Sequence, residues 1–210
     1  MMTRKYTFRL TEEIARWAFE VLLSKNPDWY IAFTNPTAGP WKRVTAINER
    51  GVEGEVHRFA RDEERPDLLL ISDKYEVVII IEAKDSLPKL IKDKQIKKSA
   101  QVVLKLGELL NSKVDHLYWG KRANYKIVAG LLWGAEEKST EADRVKAFKL
   151  YQEHLINDKE LCSDIMVGIE SFRDKKGGIT CSGFVSHQGE IRTGLTGKSL
   201  LETLTVLVQE

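Results

Sequence analysis

Three charged residues bracket two apolar runs in the stretch RPDLLLISDKYEVVIIIEAKDS, Arg65 to Ser86. Asp67 opens the first run; Glu82 and Lys84 close the second, directly after Val77, Val78, Ile79, Ile80 and Ile81. Two apolar runs around a polar turn near Asp73 and Lys74 predict a β-hairpin. Side chains alternate along a strand, so Glu82 and Lys84 share one face and Ala83 takes the other. With the turn centred there, Asp67 falls opposite Ile81 or Glu82. A small register shift or bulge then brings all three charges to one end of one face. Charges at the end of a buried hairpin cost free energy unless they are paired or bound to something. Two carboxylates repel each other, and a divalent cation relieves that repulsion. Hard oxygen ligands suit Mg²⁺, which keeps several waters and takes one or two protein carboxylates plus phosphate oxygens. A lysine beside them stands near an attacking water or a charged phosphate. These parts suit metal-assisted phosphodiester hydrolysis. The competing reading is that Glu82 and Lys84 merely leave the core where the strand reaches solvent.

The flanking sequence must position that hairpin. LTEEIARWAFEVLLSKNP predicts a helix with Thr11 as N-cap, Ile14, Trp17, Ala18, Val21 and Leu22 on one face, and Pro27 as its stop. NPTAGPWKR, Asn35 to Arg43, reads as a loop. Residues 44–64 are polar and give no clear period, although EGEVHRFARDEE suits a strand and a turn. After the hairpin, the spacing of Ile91, Ile96, Ala100, Val103, Leu104 and Leu110 predicts one long helix from Leu87 to about Ser112. YKIVAGLLWG is a short apolar run bounded by glycine, as in a buried central strand. TEADRVKAFKLYQEHLI predicts a helix with Ala142, Val145, Phe148, Leu150 and Leu155 as its apolar positions. DIMVGIESF reads as a strand and GITCSGFVSHQGEIRTG as a strand pair, while KSLLETLTVLV is ambiguous between helix and strand. Together these predict an α/β fold, a mixed central sheet flanked by helices, in one domain over residues 1–210.

Pro66 and Asp67, followed after a gap by Glu82, Ala83 and Lys84 at the end of a strand, resemble the motif of the PD-(D/E)xK nuclease superfamily. That is the fold of type II restriction endonucleases and of many repair nucleases. The helix–hairpin–helix–strand order over about residues 10–135 is similar to the family's common core, with residues 136–210 as additions. The resemblance implies that Asp67 and Glu82 bind Mg²⁺, with Mn²⁺ able to substitute. It implies that Lys84 positions or helps to deprotonate the nucleophilic water. An acidic residue on the first helix often joins the family's site; Glu20 is preferred here over Glu13, with Glu53 and Glu55 as weaker choices. Gln95 and Gln101 are candidates for a polar residue on the following helix. The implied activity is a Mg²⁺-dependent DNA endonuclease of the type II restriction kind, acting on double-stranded DNA as a homodimer, because one site per chain must cut two strands. A repair or recombination nuclease for branched or damaged DNA is the second reading. A non-enzymatic DNA-binding or partner-binding subunit on the same fold is the third.

Other features fit these readings less sharply. Lys89, Lys92, Lys94, Lys97 and Lys98 follow the motif closely, and such a cluster suits phosphate contacts as well as it suits a solvated helix face. Gln188 and Arg192 lie in a hairpin-like stretch; arginine and glutamine suit guanine and adenine edges in a major groove, and an ordinary edge hairpin fits equally. Lys42 and Arg43 beside Trp41 allow a loop contact, although a plain surface loop is the simpler reading. The four histidines are scattered, without paired spacing, and the five tryptophans read as core or loop anchors. Cys162 and Cys181 form neither a zinc pattern nor a disulfide framework. Net charge is only +2 over 210 residues, so a nucleic-acid footprint has to come from clustering. The first residues lack the long apolar core of a signal peptide, and no apolar run approaches the ~18 residues of a membrane span. The sequence therefore reads as a cytoplasmic, soluble protein without membrane contact.

Overall fold

Leu68–Ser72 and Val77–Lys84 are strands because both runs are apolar on both faces, which suits only a sheet covered on both sides. The computed structural model describes residues 28–34, 42–47, 53–59, 66–72, 74–84, 86–92, 97–98, 100–104, 126–135, 139–155, 165–173, 176, 178–188, 190–195 and 197–209. In chain order the elements are β1 (Tyr30–Thr34), β2 (Lys42–Ile47), β3 (Glu53–Phe59), β4 (Leu68–Ser72), β5 (Val77–Lys84), α1 (Leu87–Leu90), β6 (Lys126–Ala135), α2 (Glu141–Leu155), β7 (Met166–Arg173), β8 (Ile179–His187), β9 (Glu190–Leu195) and α3 (Gly197–Gln209). Seven strands form one sheet in the order β1-β4-β5-β6-β7-β8-β9, and β2 and β3 form a separate antiparallel pair. β5, β6 and β7 run parallel; β1, β4, β8 and β9 pair antiparallel to their neighbours. The molecule is thus a mixed α/β fold, as its alternation of helical and strand periods predicts. Among the described residues no helix is long and apolar enough to cross a membrane.

Two apolar layers sandwich the sheet. On one side Leu69, Ile71, Val78, Ile80, Leu131 and Trp133 meet Leu87 and Leu90 of α1 and Ala147, Phe148, Tyr151 and Leu155 of α2. On the other side Leu68, Leu70, Ile79, Ile81, Ala83, Leu132 and Ile169 belong to a layer that includes Leu200, Leu201, Leu204 and Leu207 of α3. Those four leucines recur at helical spacing, which settles the ambiguous KSLLETLTVLV in favour of a helix. α2 descends onto the sheet above Gly168, where an added Cβ would lie 2.5 Å from Cζ of Phe148 and 3.1 Å from Cη2 of Trp133. Gly168→Ala is accordingly expected to cost about 1–3 kcal/mol by overpacking, read from urea denaturation. An unchanged midpoint would show that α2 lifts away freely.

Several expectations require correction. The stretch after the hairpin is not one unbroken helix: α1 ends at the Ile91 cap, with φ −75° and ψ 3°, a bend follows at Lys92, and helical backbone resumes at 97–98 and 100–104. β1 and β2 lie where no strand is expected, β2 beginning at Lys42 within the supposed loop. α2 is rotated from its predicted face. Its buried residues are Arg144, Ala147, Phe148, Tyr151 and Leu155, whereas Ala142 is exposed and Val145 and Leu150 are half-buried. The predicted first helix over residues 11–27 lies outside the described residues.

Candidate functional site

The hairpin register places the charges together. Leu68 pairs with Ile81 and Ser72 with Val77, so the next position along β4, Asp67, stands opposite Glu82. Asp67 precedes Leu69 by two residues and Glu82 and Lys84 follow Ile80 by two and four, which puts all three on the face covered by α1 and α2. No bulge is needed between them. The chain bends at Asp67, and its side chain takes over where the ladder ends. Its backbone N–H donates to the Ile81 carbonyl at 3.0 Å, and its Oδ2 accepts the Ala83 N–H at 2.7 Å. The carboxylate is thereby fixed against β5.

Lys84 completes the cluster by folding back along its own strand. Its Nζ donates to Oε1 of Glu82 at 2.6 Å and to the Ala83 carbonyl at 2.7 Å, and it lies 3.6 Å from Oδ2 of Asp67. Asp67 and Glu82 are each only 8% exposed. Two nearly buried carboxylates therefore share one cation. This arrangement answers why so apolar a strand ends on charges: the charges are paired with each other below the surface rather than dispersed into solvent.

The donor set fits a hard divalent ion. Two carboxylates, one hydrogen-bonded in place and both already within 4 Å of one positive group, match the one or two protein carboxylates that Mg²⁺ takes. Among the described residues no group of three or more His, Cys, Asp or Glu side chains gathers in one place. Glu13, Glu20, Lys94 and Gln95 lie outside the described residues. Glu53 and Glu55 fall on β3, in the separate strand pair, opposite Ile47 and Thr45. Lys97 and Gln101 are exposed and Lys98 half-buried on the helical segments after α1.

Gln188 and Arg192 are not brought to the carboxylates. Gln188 is the turn residue between β8 and β9, with φ +50°, beyond the Ser186–Met166 pair where β7 begins. Glu82 and Lys84 lie where β5 ends, towards the opposite end of these parallel strands. Arg192 pairs with Val185, whose side chain belongs to the layer beneath α3, on the opposite face from Asp67 and Glu82.

A second buried charge cluster escapes the motif reading. Lys84 pairs in register with Trp133, Trp133 with Glu170, and Glu170 with Ser182, one row across four strands. Glu170 is 0% exposed and Arg144 of α2 is 4% exposed; Arg144 Nη2 lies 3.0 Å from Oε2 of Glu170. Oε1 of Glu170 accepts the Ser139 N–H at 2.6 Å and the Trp133 indole N–H at 3.2 Å. Arg144 also donates to the Ser139 carbonyl at 2.5 Å and stacks 4.1 Å above the Phe184 ring, which itself stacks on Trp133. The cluster ties the start of α2 and the approach to it onto β6 and β7. Its sequence signal was of the same kind as that of Glu82: a charge directly after an apolar run in a strand, Glu170 in MVGIESF.

The remaining titratable features do not converge on this site. Asp28 accepts hydrogen bonds from Lys74 and Tyr75 at the β4–β5 turn, which hold its carboxyl below the usual carboxylate range. Burial pushes the Cys181 thiol up, only partly offset by the Ser171 hydroxyl 3.3 Å away. Trp29 and Trp133 are both buried, as core anchors are. No protein-family model matches the chain, and no curated protein matches it in sequence.

Proposed function

We propose that the protein is a Mg²⁺-dependent endodeoxyribonuclease with a restriction-endonuclease-like core, cutting double-stranded DNA at a specific sequence as a cytoplasmic homodimer. The observation that carries this reading is the meeting of Asp67, Glu82 and Lys84 on one face, with both carboxylates in contact with a single cation. Asp67 and Glu82 would hold the divalent ion, which Mn²⁺ can replace. When bound, such an ion supplies Lewis acidity to the phosphate and makes a water more acidic. Among the described residues Lys84 carries the only ammonium in contact with both carboxylates, and an N–H released from Glu82 would be a donor for the attacking water or a phosphate oxygen. The Ala83 N–H keeps Asp67 in one orientation, so the carboxylate needs no reorganisation before binding. Glu20 remains the proposed fourth member. Lys94, Lys97 and Lys98 are proposed phosphate contacts; Gln188 and Arg192, remote from the carboxylates, are proposed to read bases only if the duplex reaches around the sheet edge.

The test is incubation of long plasmid DNA with the protein and Mg²⁺. Discrete fragments are expected, with loss of cutting in excess chelator and recovery on adding Mg²⁺ or Mn²⁺. Ca²⁺ is expected to support binding with little cutting, because its looser coordination suits catalysis poorly. Cleavage confined to junctions or flaps would move the protein to repair or recombination. Binding without cleavage would make it a DNA-binding subunit. Undiminished cutting in chelator would overturn the metal-dependent mechanism.

A further inference from the structure

We infer that Lys84 serves as the protein's internal counter-cation: in the metal-free state its ammonium holds the position that a divalent ion takes, and metal binding displaces it. The inference deepens the metal-dependent reading above and rests on it. Lys84 Nζ makes its 2.6 Å contact to Oε1 of Glu82 while lying 3.6 Å from Oδ2 of Asp67. A Mg²⁺ ion binds carboxylate oxygens at about 2.0–2.1 Å. An ammonium already seated between the same two oxygens blocks that approach sterically and repels the ion. The two cations therefore compete for one pair of carboxylates. The geometry also gives a reason for the competition. Asp67 and Glu82 are nearly buried, and without a positive partner their mutual repulsion would oppose folding. Lys84 places one positive charge in contact with both. The side chain is anchored on the Ala83 carbonyl of its own strand, at 2.7 Å, so it has a place to pivot from when it leaves Glu82. Once displaced, its donors become available to an anionic phosphate. Metal and nucleic acid are thereby coupled through one side chain, and the coupling is reciprocal.

The experiment is titration of Mn²⁺ alone, without DNA, into chelator-stripped protein at one fixed pH, followed by isothermal calorimetry. Lys84→Met keeps the chain length and removes the charge, and is expected to bind Mn²⁺ at least about tenfold tighter than wild type, a difference of about 1.4 kcal/mol. Glu82→Gln is expected to lose measurable binding. Equal or weaker binding by Lys84→Met, with wild type binding Mn²⁺ and cutting DNA, would overturn the inference and leave the nuclease reading intact. No Mn²⁺ binding by any form would overturn both. Should Lys84→Met fail to fold, Lys84→Gln takes its place. The wild type supplies an independent readout: on saturation with diamagnetic Mg²⁺ the Cε–Hε NMR signal of Lys84 is expected to move and sharpen as the side chain is released. A signal unmoved at saturation would overturn displacement.

Discussion

Glu82→Gln is expected to lower the single-turnover rate of DNA cleavage by on the order of 10³-fold or more, while the protein melts within a few degrees of wild type. The rate effect follows from losing a charged metal ligand, since several kcal/mol of transition-state stabilisation correspond to about that factor. The preserved fold follows from the contacts. Glutamine keeps an oxygen where Oε1 now accepts from Lys84 Nζ at 2.6 Å, so no donor is stranded. Asp67→Asn is the matching change at the other carboxylate, because asparagine can still accept the Ala83 N–H. Asp67→Ala is the poorer test: it leaves that buried N–H without its acceptor, at a cost of about 1–3 kcal/mol, and mixes folding with chemistry. Lys84→Ala likewise removes the cation in contact with both nearly buried carboxylates, so a drop in stability is expected there that the two amide variants escape. Single-turnover kinetics with thermal melts of all four variants separate these effects. A Glu82→Gln protein cutting within tenfold of wild type would remove Glu82 from the metal site.

The hairpin and its charges were legible because strand periodicity is strict. Once β4 and β5 are strands joined by a short turn, a spacing of two fixes the face of Glu82 and Lys84 and the register fixes the partner of Asp67. β6 was readable as a short apolar run bounded by glycine, and β7 and β8 were likewise read as strands. What escaped were elements whose pattern is weak by itself. β2 pairs with β3 outside the main sheet, and its sequence, KRVTAI, carries too many polar residues for a buried-strand signature, whereas EGEVHRF of β3 was read as a strand. β1 is five residues long and sits beside β4 at the end of the sheet order. The break after α1 is a backbone event at Ile91 that no apolar spacing reports.

Helix α2 shows a different limit. Counting only apolar residues placed its buried face on Ala142, Val145, Phe148, Leu150 and Leu155, of which Phe148 and Leu155 are buried, but the true stripe starts on a charge, Arg144. An arginine is assigned to solvent unless a partner is known, and the partner, Glu170, lies on another element 26 residues away. Neither residue is interpretable alone. The remoteness of Gln188 and Arg192 from the carboxylates has the same origin. Their residue types suit base edges, but the end of the sheet on which the β8–β9 turn falls follows from strand direction, which composition does not encode.

Glu170→Ala is expected to destabilise the protein by about 3–5 kcal/mol, the usual cost of removing one partner from a buried ion pair. For a domain whose whole stability is about 5–15 kcal/mol, that is a large fraction. Three groups lose their acceptor at once. Arg144 keeps only the Ser139 carbonyl and the Phe184 ring, the Ser139 N–H loses its 2.6 Å contact, and the Trp133 indole is left with the Ser139 hydroxyl at 3.3 Å. The loss is chiefly that of an uncompensated guanidinium in a site that is 4% exposed. Removing the cation as well should therefore restore stability: Arg144→Met combined with Glu170→Leu is expected to recover most of the loss, because apolar replacement of a whole buried pair is often neutral or better. Urea denaturation of the wild type, Arg144→Met, Glu170→Leu and the double variant gives the coupling energy, with Glu170→Ala measured beside them. Mn²⁺ affinity serves as the control. Glu170 stands two strands from β5, about 9–10 Å at ordinary strand spacing, so folded Glu170→Ala protein should still bind the ion at Asp67 and Glu82. A cost below about 1 kcal/mol would mean that water reaches Arg144 and that the cluster does not hold α2 to the sheet. Loss of Mn²⁺ binding from a protein that remains folded would instead join Glu170 to the carboxylate site.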